Sequence, residues 1–163
     1  MKTAIIYHSH SGITRNVAEQ LNKELSGELI EVAPEKPYSS LMVYPKGCYR
    51  AAKGLSDSVK PARIDLSGFD LVVIASPVWA GKQTPVINGA LDALTHGEAK
   101  RSFAIMTCGK LESGEKAMES FTSAIKGVGL SVVGSSVLDK NMVSDSGSIE
   151  KVVAAVRSGL ESA

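Results

Sequence analysis

One short segment combines hydroxyl side chains, a glycine and the start of a helical pattern, a combination that suits the binding of a phosphate group. It consists of Ser9, His10, Ser11, Gly12, Ile13 and Thr14. The hydroxyls donate hydrogen bonds, Gly12 allows close backbone approach, and the amino end of the following helix adds N–H groups and positive potential. The alternative interpretation is that Ser11 only caps this helix and Gly12 only turns the chain. The segment by itself does not decide between the two.

A second segment holds the only tryptophan of the chain, in a stretch bounded by proline and glycine. The residues that could contact a ligand here are Pro77, Val78, Trp79, Ala80, Gly81 and Lys82. An indole on a polar loop presents a flat face for a planar ring, and glycine leaves backbone groups accessible to the polar edge of that ring. We therefore expect Trp79 to lie on an exposed loop. The alternative is a tryptophan buried in the core.

A third segment places a glycine beside a thiol and a cation. It consists of Thr107, Cys108, Gly109 and Lys110. Cys108 could be a nucleophile, but a small sulfur that is buried or in contact with a ring is the favoured interpretation. His8 and His10 are the histidines expected near this segment, and because they lack a third ligand they predict no metal site.

Better-known phosphate motifs do not fit the sequence. A P-loop requires serine or threonine after Gly-Lys, whereas Gly81-Lys82 is followed by Gln83 and Gly109-Lys110 by Leu111. A cysteine phosphatase requires an arginine six residues after its nucleophile, and glycines occupy positions 54 and 114 instead. Any phosphate site must therefore be of another kind.

Five short apolar runs, alternating with helical patterns, predict the elements that position these segments. The runs are Thr3 to Tyr7, Leu29 to Val32, Leu71 to Ala75, Phe103 to Cys108 and Leu130 to Leu138. Nearly continuous runs are typical of strands covered on both faces, and the patterns between them repeat every three or four residues, as in helices. The alternation predicts an α/β fold in which a parallel sheet has helices on both faces. Because ligands bind such sheets at the carboxyl ends of the strands, the three segments should meet there.

The connection between the second and third strands is longer than the others and rich in proline and tyrosine. A loop of that length without structure would be unusual, so we predict a helix from about Tyr44 to Ser56, preceded by an extended stretch. The tyrosine-bearing part, from Tyr38 to Arg50, could form a pocket wall or a dimer contact.

Length and composition favour one domain, 1–163, of the soluble globular class, with 44% hydrophobic and 21% charged residues. Eighteen Lys and Arg against 17 Asp and Glu give a net charge of +1, and without a basic tract no nucleic-acid partner is expected. Two cysteines without a CxxC spacing favour a reducing compartment, and no stretch predicts a signal peptide or membrane insertion. The expected location is the cytoplasm.

The three segments together resemble the flavodoxin family. Tyr7 to Thr14 is similar to its FMN phosphate loop, S/T-x-S/T-G-x-T after the first strand, and Pro77 to Gly81 to the loop that places an aromatic ring on the flavin. Thr107 to Lys110 is similar to the second ring-contacting loop. The resemblance covers nearly the whole chain. It implies a flavodoxin-like three-layer sandwich with a five-stranded parallel sheet in the order 2-1-3-4-5.

The resemblance also implies FMN as the cofactor and assigns the residues around it. Ser9, His10, Ser11, Gly12, Ile13 and Thr14 would hold the phosphate. Pro77 to Lys82 would line the isoalloxazine, with Trp79 against it, and Thr107 to Lys110 would flank the pyrimidine end. Family carriers are typically acidic near the flavin, whereas this chain places Lys82 and Lys110 in the two ring loops. These cations should favour the anionic reduced flavin, unless they point into solvent.

Three functions remain open from the sequence. The first is an FMN-binding electron carrier between redox partner proteins, as a monomer or weak dimer. The second is a small FMN-dependent NAD(P)H oxidoreductase of the quinone-reductase type, favoured by the balanced charge and the segment Tyr38 to Arg50. The third, a phosphate-binding module without redox chemistry, is disfavoured by Trp79.

Overall fold

The computed structural model describes residues 1–161, and at its centre lies a sheet of five parallel strands. The strands are β1 (Thr3–Tyr7), β2 (Glu28–Glu31), β3 (Leu71–Trp79), β4 (Arg101–Cys108) and β5 (Ser131–Asp139). Their order across the sheet is β2-β1-β3-β4-β5. The predicted order is therefore confirmed, and the carboxyl ends of β1, β3 and β4 are neighbours.

Five helices cover the two faces of the sheet. They are α1 (Ile13–Leu25), α2 (Val43–Ala52), α3 (Pro85–Asp92), α4 (Leu111–Gly127) and α5 (Ser146–Glu161). Successive residues of a strand point to opposite faces, so Ile5 packs with α1 and α5 while Ile6 packs with α3 and α4. Both faces are apolar, which explains why the strands are nearly continuous hydrophobic runs. Among residues 1–161, no helix combines the length and the apolar character needed to cross a bilayer.

The long connection between β2 and β3 contains α2 and is closed at its base. The pair Ala33–Pro34 runs antiparallel to Val59–Lys60, and the N–H of Glu35 donates to the carbonyl of Ser58 at 2.8 Å. This segment is thus closed at its base, and the chain then continues to rejoin the central sheet at Leu71. A helix was expected here from about residue 44 to 56; the observed one begins at Val43 and ends at Ala52.

Candidate functional site

The loop after β1 leaves the amino end of α1 open to an anion. Gly12 has φ +90°, and a Cβ at this position would meet no heavy atom within 4 Å. Its carbonyl accepts the first helical hydrogen bond, from the N–H of Asn16 at 3.0 Å. No side chain of the described residues caps α1, and its first turn holds no acidic residue. The interpretation of Ser11 as a helix cap is therefore wrong, and no capping side chain among residues 1–161 competes with a ligand for the amino end of α1.

Two buried threonines join this loop to the end of β4. Thr14, in the first turn of α1, is 2.8 Å from Thr107 between their Oγ1 atoms. Both side chains are almost completely buried. The hydrogen bond fixes the first and third predicted segments against each other, across the end of β3.

The second predicted segment is a hairpin rather than an irregular loop. β3 continues through Pro77 and Val78 to Trp79 and then turns back, so that Trp79 pairs with Lys82. The two residues at the turn, Ala80 and Gly81, have φ values of +47° and +75°, the combination that a tight two-residue hairpin requires. Ala80 and Gly81 therefore form the exposed tip, next to the ends of β1 and β4.

Trp79 is buried, so the expectation of an indole on an exposed loop is wrong. Only 7% of this residue is accessible to solvent, because α2 lies over it. Gly47 of α2 makes the contact possible: a Cβ there would lie 2.6 Å from Cζ3 of the indole. The rings of His8, His10 and Tyr38 surround the indole edge to face, with centroids 5.7, 6.1 and 6.4 Å away. The indole thus anchors α2 to the end of the sheet.

His8 is a buried neutral histidine at the end of β1. Its Nδ1 lies 3.1 Å from Oγ1 of Thr84, the residue that caps α3 by accepting the N–H of Ile87. Burial, together with the nearby His10, lowers the pKa of His8 to about 4. The imidazole therefore links β1 to α3 without carrying a charge at neutral pH.

The third predicted segment lies beside the hairpin. Cys108 is half-buried and its Sγ is 3.7 Å from the carbonyl oxygen of Leu138. Burial raises the pKa of this thiol, which disfavours a thiolate nucleophile. Gly109 and Lys110 are exposed. Within residues 1–161 no group of three or more His, Cys, Asp or Glu side chains could hold a metal ion.

One cluster of polar residues was not predicted from the sequence. Asp57, whose side chain is 10% exposed, accepts hydrogen bonds from Tyr38 and from Nε of Arg50, the latter at 2.7 Å. Burial, together with the Asp57 carboxylate, raises the pKa of Tyr38 to about 12. Arg50 and Asp57 lie seven positions apart around the end of α2, so no helical or strand periodicity points to their pairing.

The glycines at the three tips differ from the glycines inside the fold. A Cβ at Gly12, Gly81 or Gly109 would meet nothing within 4 Å, whereas at Gly47 it would meet the indole and at Gly89 the backbone of Asp57. The backbone at the three tips is thus open, and a flat ligand can approach it. All three tips lie at the carboxyl edge, where ligands bind open α/β sheets.

Comparison with known proteins identifies related chains. The model of a family described as NADPH-dependent FMN reductase matches residues 1–142. No curated protein sequence matches the chain. Among solved structures, a flavoprotein in complex with FMN from Lactobacillus acidophilus NCFM is 25% identical with a TM-score of 0.69, over 87% of this chain and 95% of that one.

Two further structures share the fold. A putative flavoprotein from Bacteroides uniformis ATCC 8492 is 18% identical with a TM-score of 0.75, over 94% of this chain and 97% of that one. Oxidised flavodoxin 2 from Bacillus cereus is 16% identical with a TM-score of 0.61, over 100% of both chains. The three-layer arrangement described above is therefore that of flavodoxins.

Proposed function

Because the chain belongs to the NADPH-dependent FMN reductase family, we propose that it is an FMN-dependent NADPH oxidoreductase that passes electrons to a small acceptor such as a quinone. The chain is a flavodoxin-like flavoprotein and its cofactor is FMN. The observation that carries the proposal is the family match over residues 1–142, which spans all three segments at the carboxyl edge of the sheet.

The open amino end of α1 fits the FMN phosphate. Its first turn contains no carboxylate that would repel a dianion, and the positive end of the helix dipole stabilises one. In our proposal the backbone N–H groups of Ile13 and Thr14 and the hydroxyls of Ser9 and Ser11 bind this group. Ser9 accepts the N–H of Gly12 at 3.1 Å, which holds the loop in shape while leaving its own hydroxyl proton to donate.

The two other tips fit the flavin ring. In our proposal the ring lies between the hairpin tip, Ala80 to Lys82, and the segment Thr107 to Lys110, with the open backbone at Gly81 and Gly109 available to its polar edge. When bound, FMN supplies the capacity to accept two electrons from a reduced nicotinamide and to give them up again. Trp79 contributes rigidity here instead of a stacking face, because its indole is covered by α2.

No side chain of the site is needed as an acid or base for this chemistry. His8 is buried and neutral, and Cys108 holds its proton. The protein therefore acts by binding and orientation. Lys82 is half-buried and Lys110 exposed, and both are absent from the ion pairs of the described residues, so their charges remain available to favour an anionic reduced flavin.

Anaerobic mixing of the FMN-loaded protein with NADPH tests this function. We expect rapid loss of the visible absorbance of the flavin, followed by its recovery when a water-soluble benzoquinone is added. Free FMN at the same concentration serves as the control, because it lacks the protein's binding and orientation. Bleaching no faster than that of free FMN would contradict the proposal.

An electron carrier is the second candidate, and one observation favours it. At the start of α2 three apolar side chains, Leu41, Met42 and Tyr44, are 87%, 48% and 58% exposed. Tyr44 contacts His10 of the phosphate loop, with ring centroids 5.8 Å apart. An apolar patch beside a redox site suits brief docking of a partner protein. If NADPH did not bleach the flavin absorbance, but the protein exchanged electrons with a redox protein, the electron carrier would be supported instead.

A further inference from the structure

The segment between β2 and β3 forms a cleft that the flavin site does not use. Its volume is about 500 Å³, within the usual range for small-molecule sites. The lining includes Tyr38, Met42, Lys46 and Arg50, all from this one segment. We propose that this cleft binds the phosphorylated adenosine end of NADPH; the inference rests on the proposed function and names the subsite that selects the dinucleotide.

The floor of the cleft is a fixed, neutralised ion pair. Nε of Arg50 donates to Asp57 at 2.7 Å, and Nη2 of Arg50 donates to the carbonyl of Ser56 at 2.8 Å. Tyr38 donates to the other oxygen of Asp57. Both carboxylate oxygens are therefore occupied, and the charge of Asp57 is compensated by the arginine that holds it. The Asp57 carboxylate therefore repels a negatively charged ligand in the cleft less than an unpaired carboxylate would.

The rim of the cleft carries more positive than negative charge. With Arg50 and Asp57 compensating each other, the remaining charged residues of the lining are Lys36, Lys46 and Glu35. Nζ of Lys46 lies 6.0 Å from the centre of the ring of Tyr38, and both residues line the cleft. The remaining lining thus has a net positive charge, and its serine hydroxyls can donate hydrogen bonds. Both properties suit the binding of a phosphate group.

The apolar part of the lining suits a purine. Met42 is 48% exposed and lies with Pro37 in the same cleft as the lysines. A thioether and a proline ring offer polarizable and flat apolar surface on which an adenine can rest. Phosphate-binding and base-binding groups thus occur together, which is what a phosphorylated adenosine requires.

A second cavity adjoins the cleft on the side of the phosphate loop. A smaller cavity of about 220 Å³ is lined by Ser9, His10 and Trp79, and it shares Pro34, Pro37 and Tyr38 with the larger cleft. Ser9 and His10 belong to the phosphate loop. The two cavities therefore adjoin at Tyr38, and in our proposal a dinucleotide with its adenosine end in the cleft extends past this residue toward the flavin.

The kinetic test compares NADPH with NADH, which differ only in the 2′-phosphate. We expect the wild-type protein to have the lower KM for NADPH. In the double variant K36Q/K46Q this preference should fall by about threefold to tenfold for each lysine, as for exposed charged hydrogen bonds. The matched control is K53Q, which removes a lysine at the other end of α2 that packs over Tyr49 and is not part of the cleft. Its preference should match the wild type.

A calorimetric titration with adenosine 2′,5′-bisphosphate tests binding independently of redox activity. We expect the FMN-loaded protein to bind it more tightly than adenosine 5′-monophosphate, and K36Q/K46Q to lose that difference while keeping its FMN. No binding, or an NADPH preference unchanged in K36Q/K46Q, would overturn the inference. Binding without any bleaching by NADPH would support the cleft and refute the proposed function. Bleaching with equal KM for both nucleotides would refute the cleft and leave the function standing.

Discussion

Replacing Gly47 by alanine places a methyl group in the contact between α2 and Trp79. The new Cβ would lie 2.6 Å from Cζ3 and 3.0 Å from Cε3 of the indole, well inside normal contact, so the helix or the indole must move. Overpacking of this kind costs about 1–3 kcal/mol. Alanine also gains about 0.5–1 kcal/mol over glycine within a helix. The free energy of unfolding should therefore fall by up to about 2.5 kcal/mol.

Gly127 provides the matched control, because it is also helical but a Cβ there would meet nothing within 4 Å. The change G127A keeps the gain in helix propensity without the clash, so it should stabilise the protein slightly. Urea denaturation followed by circular dichroism measures both variants, and the single tryptophan reports the local change through its emission. We expect the emission of G47A to shift to the red. If G47A were as stable as G127A and its emission unchanged, the packing of α2 on the indole would be refuted.

Three other predictions concern the site. G12A should weaken FMN binding about tenfold, through strain at φ +90° rather than a clash, and fluorescence titration with FMN measures it; undiminished affinity would contradict the phosphate assignment. Because the pKa of His8 is lowered from 6.5 to about 4, the unfolded chain binds a proton that the folded one excludes. The free energy of unfolding should thus decrease as pH falls from 6.5 to 4, by about 3 kcal/mol at most. In H8N, urea titrations should show a weaker dependence of this free energy on pH. The same pH dependence in H8N and in the wild type would contradict the assignment to His8. K82E/K110E should make the two-electron potential of the flavin more negative, and a redox titration giving an equal or higher value would refute the charge argument.

The architecture could be predicted because it depends on local patterns. Runs such as Leu71 to Ala75 are continuous because both faces of the sheet are covered, and the strand order followed once the three segments suggested a flavodoxin-like sheet. The start of α1 directly after Gly12 could be predicted for the same reason, because Gly12 and the helix that follows it are adjacent in sequence.

The environment of Trp79 could not be predicted, because it depends on a contact between distant parts of the chain. The indole follows a strand and precedes a turn, which favours exposure, but α2 arrives from more than 25 positions earlier and covers it. Gly47 is the residue that permits this contact, and in sequence it is one glycine among 15. The pairing of Arg50 with Asp57 depends in the same way on how the chain turns after α2.

The segment between β2 and β3, which forms the cleft, is closed at its base and lies outside the central sheet. Since Ala33–Pro34 pairs with Val59–Lys60, the chain enters and leaves the segment at one place, and changes in the cleft lining that leave the contact of Gly47 with the indole intact need not disturb the sheet. If the cleft selects the coenzyme as proposed, substitutions and insertions there would alter which nucleotide is accepted without changing the flavin site. In our proposal the flavin and the coenzyme thus depend on different parts of one small domain, and exchanging this segment between relatives should change the choice of coenzyme while FMN binding is kept.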